Sequence, residues 1–134
     1  MWMMKQSKFL AGLVITFFIL ASPTISATEL LKTESSWDGN AFEYPEGTPE
    51  VTAITLALDA EEQTPWHCHP VPTLGYVVSG SLQVETQGGK KTVLKKGDSV
   101  VEVMRTLHRG TGLSEGVEII VFYAGVKEIP NTLL

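Results

Sequence analysis

The chain has 134 residues, with 15 acidic and 10 basic side chains and a formal net charge of −5 at pH 7. That length suffices for one compact domain, and the acidic balance excludes the basic surface that nucleic-acid binding requires. Cys68 is the single cysteine, which excludes an internal disulfide, so the packed core must supply the stability.

The first 27 residues have the pattern of a secretory signal peptide. Lys5 and Lys8 precede an apolar run over residues 9–21, and small residues follow around Ser26 and Ala27. The run is shorter than the roughly 20 residues of a membrane span, and no second run follows. We therefore expect cleavage after Ala27 and export to the periplasm or the medium, with no membrane segment afterwards. An uncleaved N-terminal anchor is the alternative.

The remaining chain is predicted to fold as one β-domain behind a short arm. Residues 28–49 show no sustained period and are interpreted as an arm or a short edge strand, which leads into a domain over residues 50–134. Alternating and β-branched residues predict strands over 51–58, 74–78, 82–86, 91–94, 99–103 and 117–123. Turn residues lie between them at 79–80, 88–89, 96–98 and 110–112. The domain is therefore predicted to be all-β, a sandwich or a barrel.

The three histidines of the chain, His67, His69 and His108, are candidate metal ligands. Side chains alternate between the two faces of a strand, so His67 and His69 project to one side and Cys68 to the other. A third imidazole from a distant strand completes a set of nitrogens that leaves coordination positions open. We predict one divalent ion, with iron, zinc, nickel, copper and manganese as alternatives. The competing interpretation is a surface strand with two solvated histidines.

The spacing of these histidines and of several glycines resembles that of the cupin family. The first cupin motif combines a glycine, a His-X-His pair, a glutamate and a second glycine, and this chain matches it at His67, His69 and Gly80. Its other two positions hold Glu61 and Thr73. The second motif is matched at Gly97 and His108, whereas its proline, glycine and asparagine are replaced by Val103, Arg105 and Gly112.

The resemblance extends over about residues 51–130 and implies a jelly-roll β-barrel. Within the family, the chain is similar to small single-domain cupins that carry His-X-His-Pro-X-Pro-Thr followed by Tyr-Val-Val-X-Gly, here residues 67–73 and 76–80. The resemblance also implies metal binding by the three histidines, a small-molecule ligand or substrate, and a homodimer that covers an exposed sheet edge.

The departure at Thr73 bears most on the chemistry. In many cupins the glutamate at this position supplies an anionic oxygen, whereas a threonine is a neutral and poor ligand. A site of three histidines alone would have a net charge near +2 and one more open position. Glu102 is an alternative source of a carboxylate, but an outward charge on a strand is the favoured interpretation. Arg105 and Arg109 are expected in exposed loops, and Tyr76 in the core.

Two functions from different classes fit these residues, and the catalytic residues stay open. The first is an exported metalloenzyme of dioxygenase, isomerase or lyase type that acts on a small molecule at the open metal positions. The second is a non-catalytic module that binds a small molecule or a metal, which the lack of a second catalytic group favours. An empty barrel with residual histidines is a third interpretation, and the fold alone does not choose between them.

Overall fold

The computed structural model describes residues 11–134. Lys5 and Lys8 of the predicted signal peptide lie outside the described residues. Residues 11–33 form neither helix nor strand, and their large apolar side chains, such as Leu13, Phe17 and Ile19, are almost fully exposed. Among the described residues, no helix has the length and apolar character needed to cross a membrane.

The described part of the chain contains five β-strands and no helix, which confirms the all-β prediction. The strands are β1 (Pro49–Leu58), β2 (Thr73–Thr86), β3 (Lys91–Lys95), β4 (Ser99–Val101) and β5 (His108–Val126). All pairs are antiparallel, in the order β1-β5-β2-β3, with β4 also pairing with β2. β2 pairs with β4 near its start and with β3 near its end, and β5 pairs with both β1 and β2. The sheet therefore curls round one interior.

Two predicted turns are wrong, because they lie inside long strands. Ser79-Gly80 was expected to separate two strands, yet β2 continues through it with register shifts against β5. Gly80 has a φ of +71°, and a Cβ there would lie 2.0 Å from the carbonyl oxygen of Gly116. The glycine thus bends the strand without ending it. Residues 110–112 likewise belong to β5.

The interior is filled by aliphatic side chains from the inward faces of the strands. Val71, Val77 and Val84 are almost fully buried, and β5 contributes Ile119 and Val121. Burying each such side chain stabilises the fold by roughly 1.5–3 kcal/mol. This one continuous cluster is the core of the barrel and forms the floor beneath the histidines.

The outer face of the sheet carries exposed apolar side chains, and Tyr76 is one of them. It was expected in the core, but it lies 38% exposed beside Leu74 and Phe122. Thr73 and Val77 face the interior, so alternation along β2 turns Tyr76 outward. The prediction for Tyr76 is therefore wrong.

The backbone retains the conformation of the motif glycines where glycine itself is absent. Glu61 and Arg105, which replace two motif glycines, have φ values of 64° and 54°. Gly80 and Gly97, at matched positions, have φ values of 71° and 92°. Left-handed backbone is unfavourable for residues with a Cβ, so Glu61 and Arg105 each store local strain.

Candidate metal centre

The three histidines meet at one end of the barrel interior, as predicted from their spacing. His67 and His69 lie in the segment between β1 and β2, and His108 is the first residue of β5. His67 and His108 exchange backbone hydrogen bonds of 3.0 and 2.9 Å, which places the two imidazoles side by side. The ring centroids are 4.3 to 5.0 Å apart, and one ligand nitrogen from each ring lies within 4.8 Å of the other two.

Backbone carbonyls fix the orientation of all three rings. The Nδ1 of His67 lies 2.8 Å from the carbonyl oxygen of Pro65, and the Nδ1 of His108 lies 2.8 Å from that of Thr106. The Nδ1 of His69 lies 2.9 Å from the carbonyl oxygen of Asn131, near the C-terminus. A carbonyl accepts but cannot donate, so each Nδ1 carries the proton and each Nε2 presents a lone pair. Metal-binding histidines are held in the same way.

Burial favours the neutral form of His67 and His69. His69 and His108 are only 5% and 2% exposed. Burial, together with the neighbouring His108 and His67 and against the hydrogen bond to Asn131, lowers the pKa of His69 to about 4. Burial is also the main cause that lowers the pKa of His67 below its usual range, with a contribution from His108. Neutral imidazoles are the protonation state that metal ligation requires.

The donor set fits a divalent transition-metal ion. Two nitrogens that each bind one ion at about 2.1 Å lie at most about 4.2 Å apart. The widest spacing here, up to 4.8 Å, is slightly larger, so a small inward movement of one ring brings all three to a common ion. Three neutral nitrogens on rigid backbone leave further coordination positions for a carboxylate, water or substrate.

A small cavity opens in front of the rings. Its volume is about 70 Å³. Most of its wall is apolar, and its polar members, the histidines apart, are Thr64, Thr73, Glu102 and Tyr123. A space of this size holds a few waters or a small ligand beside an ion.

Glu102 faces the site, so the favoured prediction of an outward charge is wrong. Its Oε1 lies 4.0 Å from the Nε2 of His108, and its side chain is only 14% exposed. Val100, two residues earlier, also lines the cavity, and the N–H of Glu102 donates to the carbonyl oxygen of the inward-facing Thr73, so the alternation of β4 continues to residue 102 and turns its side chain inward. Glu102 is the single acidic residue in the cavity wall among the described residues.

The remaining candidate residues lie outside the ligand set. Thr73 is buried at the cavity wall, and its hydroxyl donates to the carbonyl oxygen of Val71. Arg109 donates to Glu85 at 2.6 Å and lies over the ring of Trp66. Arg105 is exposed and 3.7 Å from Glu43. Neither arginine lines the cavity. Arg105 is an exposed loop residue, as expected, whereas Arg109 lies in β5 and is only partly exposed, so the expectation of an exposed loop is wrong for Arg109.

Three residues near the site were not predicted from the sequence. Tyr123 packs its ring 5.5 Å from that of His69 and lines the cavity. Asn131 holds His69 through its carbonyl, and Trp37 donates its indole N–H to Glu102 at 2.6 Å. Asn131 and Trp37 are distant in sequence from their partners, and no local pattern announces such contacts.

Comparison with known proteins gives the family and the fold. Residues 55–123, just over half of the chain, match the family described as Cupin domain. No curated protein matches the sequence. Among solved structures, the DMSP lyase DddQ from Ruegeria pomeroyi DSS-3 has a TM-score of 0.55 at 20% identity, over 63% of this chain and 42% of that chain.

Two further structures have a similar fold. A recombinant oxalate oxidase in complex with glycolate has a TM-score of 0.53 at 20% identity, over 63% of this chain and 45% of that chain. Protein NMB1881 from Neisseria meningitidis has a TM-score of 0.50 at 19% identity, over 62% of this chain and 87% of that chain. The chain spans less than half the length of the lyase and the oxidase, and at these identities the likeness establishes the fold alone. With its family match and its jelly-roll barrel, the chain belongs to the cupin family.

Proposed function

We propose that this protein is an exported metalloenzyme that binds one divalent ion through His67, His69 and His108 and acts on a small molecule at the remaining coordination positions. One observation carries the proposal. All three Nδ1 atoms are paired with backbone carbonyls, so the three Nε2 lone pairs are free to meet at one point. Solvated surface histidines have no such shared arrangement of their second nitrogen.

The cavity supports a small substrate that binds partly through apolar contacts. A divalent ion at the histidines supplies Lewis-acid or redox chemistry, of the kind used by dioxygenases, isomerases and lyases. The volume of about 70 Å³ favours a substrate that places only a few non-hydrogen atoms inside the barrel. The similar structures of a DMSP lyase and an oxalate oxidase are compatible with small-molecule chemistry in such a barrel.

A non-catalytic module that binds a metal or a small molecule is the alternative. It is favoured by the apolar cavity wall, in which Glu102 is the single carboxylate among the described residues. The two functions differ in what happens to a bound small molecule under aerobic, metal-loaded conditions. Conversion to a product supports the enzyme, whereas tight retention without conversion supports the module.

Metal analysis tests the proposed site. The protein is purified without a histidine tag, loaded with Zn²⁺ or Fe²⁺ and dialysed, and its metal content is measured. We expect one ion per chain, and none in His67→Ala or His108→Ala. Cys68→Ser is the matched control, because Cys68 lies between His67 and His69 but outside the cavity wall. Wild-type protein without bound metal, or alanine variants that retain it, would contradict the proposal.

Export remains part of the proposal. It is supported by the sequence of the leader and by residues 11–27, which are exposed throughout. We expect expression in a bacterium with a secretory pathway to give a protein outside the cytoplasm whose first residue is Thr28. N-terminal sequencing checks this, and an intact N-terminus on the exported or membrane-bound protein would contradict cleavage.

A homodimer is proposed through the outer face of the sheet. Val51, Leu74, Tyr76 and Phe122 are each 38% to 69% exposed, although they are large apolar residues on regular strands. A second copy of the barrel placed against this face would remove the apolar surface from water. Sedimentation analysis of the wild type and of Phe122→Lys tests this, with dimer and monomer as the expected results; a monomeric wild type would contradict it.

A further inference from the structure

Glu102 lies beside Thr73, the position at which the first motif lacks its carboxylate. β2 and β4 pair with Leu74 opposite Val101, and the N–H of Glu102 donates to the carbonyl oxygen of Thr73 at 2.8 Å. Thr73 and Glu102 are therefore adjacent across two antiparallel segments, and both line the cavity. A carboxylate at residue 102 reaches the region to which a glutamate at residue 73 would be directed.

Two donors hold one oxygen of Glu102 and leave the other free. The indole Nε1–H of Trp37 donates to Oε1 at 2.6 Å, and the backbone N–H of Val103 donates to the same oxygen at 3.0 Å. The Oε2 atom accepts no hydrogen bond from the described part of the chain, where no buried side-chain oxygen lacks a partner. Oε2 therefore has accessible surface, and it is the oxygen with a full acceptor capacity.

The geometry points to a ligand role for this carboxylate. We propose that Glu102 supplies the fourth, anionic ligand of the metal centre in place of Thr73, and that Trp37 is the residue that positions it. The proposal rests on the metal site proposed above. Its geometric basis is that the carboxyl group of Glu102 lines the same cavity as the three imidazoles. Its held oxygen, Oε1, lies 4.0 Å from Nε2 of His108, and Oε2 of the same carboxyl group is the oxygen left free to coordinate.

A fourth ligand of this kind changes the electrostatics of the site. Three neutral histidines leave a divalent ion with its full +2 charge, and a carboxylate lowers the net charge to +1. The anionic oxygen strengthens the binding of hard divalent ions and lowers the electrophilicity of the centre. The loss of glutamate at residue 73 thus does not leave a site of histidines alone.

The N-terminal arm becomes part of the site through Trp37. The backbone N–H of Trp37 donates to the carbonyl oxygen of Val101 at 3.0 Å, and its side chain packs against the core. The adjoining turn is closed by Ser36, which is buried and whose hydroxyl donates to Asp38. Lys90 from the turn before β3 donates to the carbonyl oxygen of Asp38, which ties the arm to the barrel. The arm therefore presents the indole N–H at a fixed position.

Metal titration of Glu102→Gln tests the ligand role. Glutamine has the same length and its carbonyl oxygen accepts the two bonds from Trp37 and Val103, so the variant removes the charge and preserves the geometry. We expect the affinity for Zn²⁺, measured by competition with a chromophoric chelator, to fall by about 10-fold to 100-fold. Glu118→Gln is the matched control, since Glu118 is an exposed carboxylate on β5, and its affinity should equal that of the wild type.

A double-mutant cycle with Trp37→Phe tests the positioning role. Phenylalanine retains an aromatic ring but has no N–H for Glu102. We expect a fall of a few-fold in Zn²⁺ affinity when Glu102 is present and almost no further fall in the Glu102→Gln background. A merely structural role of Trp37 would weaken binding equally in both backgrounds. The visible spectrum of bound Co²⁺ gives a second readout, because replacement of a carboxylate ligand alters it.

The outcomes separate this inference from the proposed metal site. If the wild type binds one ion and Glu102→Gln binds it with equal affinity and an equal Co²⁺ spectrum, the ligand role is overturned and the histidine site stands. If Trp37→Phe weakens binding in both backgrounds, its positioning role is overturned. If the wild type binds no ion, both proposals fail together. Should Glu102→Gln unfold, Glu102→Asp, which preserves the charge, must retain metal binding with an affinity below that of the wild type.

Discussion

His67 and His108 are oriented by contacts within their own segments, whereas His69 and Glu102 are oriented by residues far away in the sequence. His67 and His108 each place Nδ1 against the carbonyl oxygen two residues earlier, at Pro65 and at Thr106, and they pair with each other through the backbone. These two rings are therefore oriented by local structure. They form the part of the site that depends least on the rest of the chain.

His69 and Glu102 depend on the segments that flank the family region. His69 is held by the carbonyl of Asn131, and Glu102 by the indole of Trp37, and both holding residues lie outside the region 55–123 that matches the cupin family. The region that matches the family thus supplies the donors, whereas the two flanking segments determine the direction of half of them.

The first prediction concerns pH and the buried His69. In the folded, metal-free protein its pKa is about 4, against the usual value of 6.5, so the unfolded chain takes up a proton between these pH values while the folded chain does not. The stability of the fold is not reduced by His69 above pH 6.5, where the imidazole is neutral in both states. As the pH falls towards 4, protonation of His69 in the unfolded chain should reduce the free energy of unfolding by up to about 3 kcal/mol.

Urea unfolding at pH 7.5 and pH 4.5 measures this effect. His69→Gln, without its metal, should lose less stability between the two pH values than the wild type, and Cys68→Ser should lose as much as the wild type. Other acidic groups titrate over part of the range, so the difference between the variants is the quantity to compare. Equal losses in His69→Gln and wild type would contradict the burial of a neutral imidazole.

The second prediction concerns the C-terminal segment. Removal of residues 131–134 takes away the carbonyl that orients His69 and the two backbone bonds between Cys68 and Leu133. We expect the metal affinity to fall by about 10-fold to 100-fold, or roughly 1.4–2.7 kcal/mol, while binding through the locally held rings persists. Removal of Leu134 alone, which is 92% exposed, should have no effect. Unchanged affinity in the longer truncation would show that the C-terminal segment does not orient His69 for metal binding.

The third prediction concerns the backbone of the two motifs and has the smallest effect. Glu61→Gly and Arg105→Gly relieve left-handed backbone at one position in each motif, and each should raise the free energy of unfolding by up to about 1 kcal/mol. Thermal or urea unfolding measures the change. Gly80→Ala serves as the opposite case and should destabilise, since its Cβ would meet the carbonyl of Gly116 at 2.0 Å. Destabilisation by Glu61→Gly would show that its side chain has a role.

Much of the fold and the histidine set could be predicted from local patterns. Strand periodicity found part of each of the five strands, although it divided β2 in two and missed the first half of β5. The parity of residues 67 and 69 placed their rings on one side. The motif spacing brought in His108. These features follow from chain geometry over a few residues, or from a family pattern, and neither requires knowledge of distant contacts.

The extent of the long strands, the side chains that face the cavity and the residues that hold the site could not be predicted, because they depend on strand parity and on long-range contacts. β2 continues through Gly80, and β5 changes its inward parity between Gly112 and Val117, which directs Tyr123 into the cavity. Glu102 faces the cavity because it keeps the parity of Val100, two residues earlier, and the sequence alone did not show which parity of β4 faces inward. The bonds from Trp37 and Asn131 span more than 60 residues, so no local window contains both partners.

The position of the bound ion can be measured by anomalous X-ray diffraction from crystals of the Zn²⁺-loaded protein. We expect a single strong peak between the three rings, within about 2.0–2.2 Å of Nε2 of His67, His69 and His108, with an oxygen of Glu102 at a similar distance. Such a peak without Glu102 would leave the histidine site intact and remove the fourth ligand. A fully loaded protein whose ion lies elsewhere, with the three Nε2 atoms free, would show that the histidines do not form the metal site.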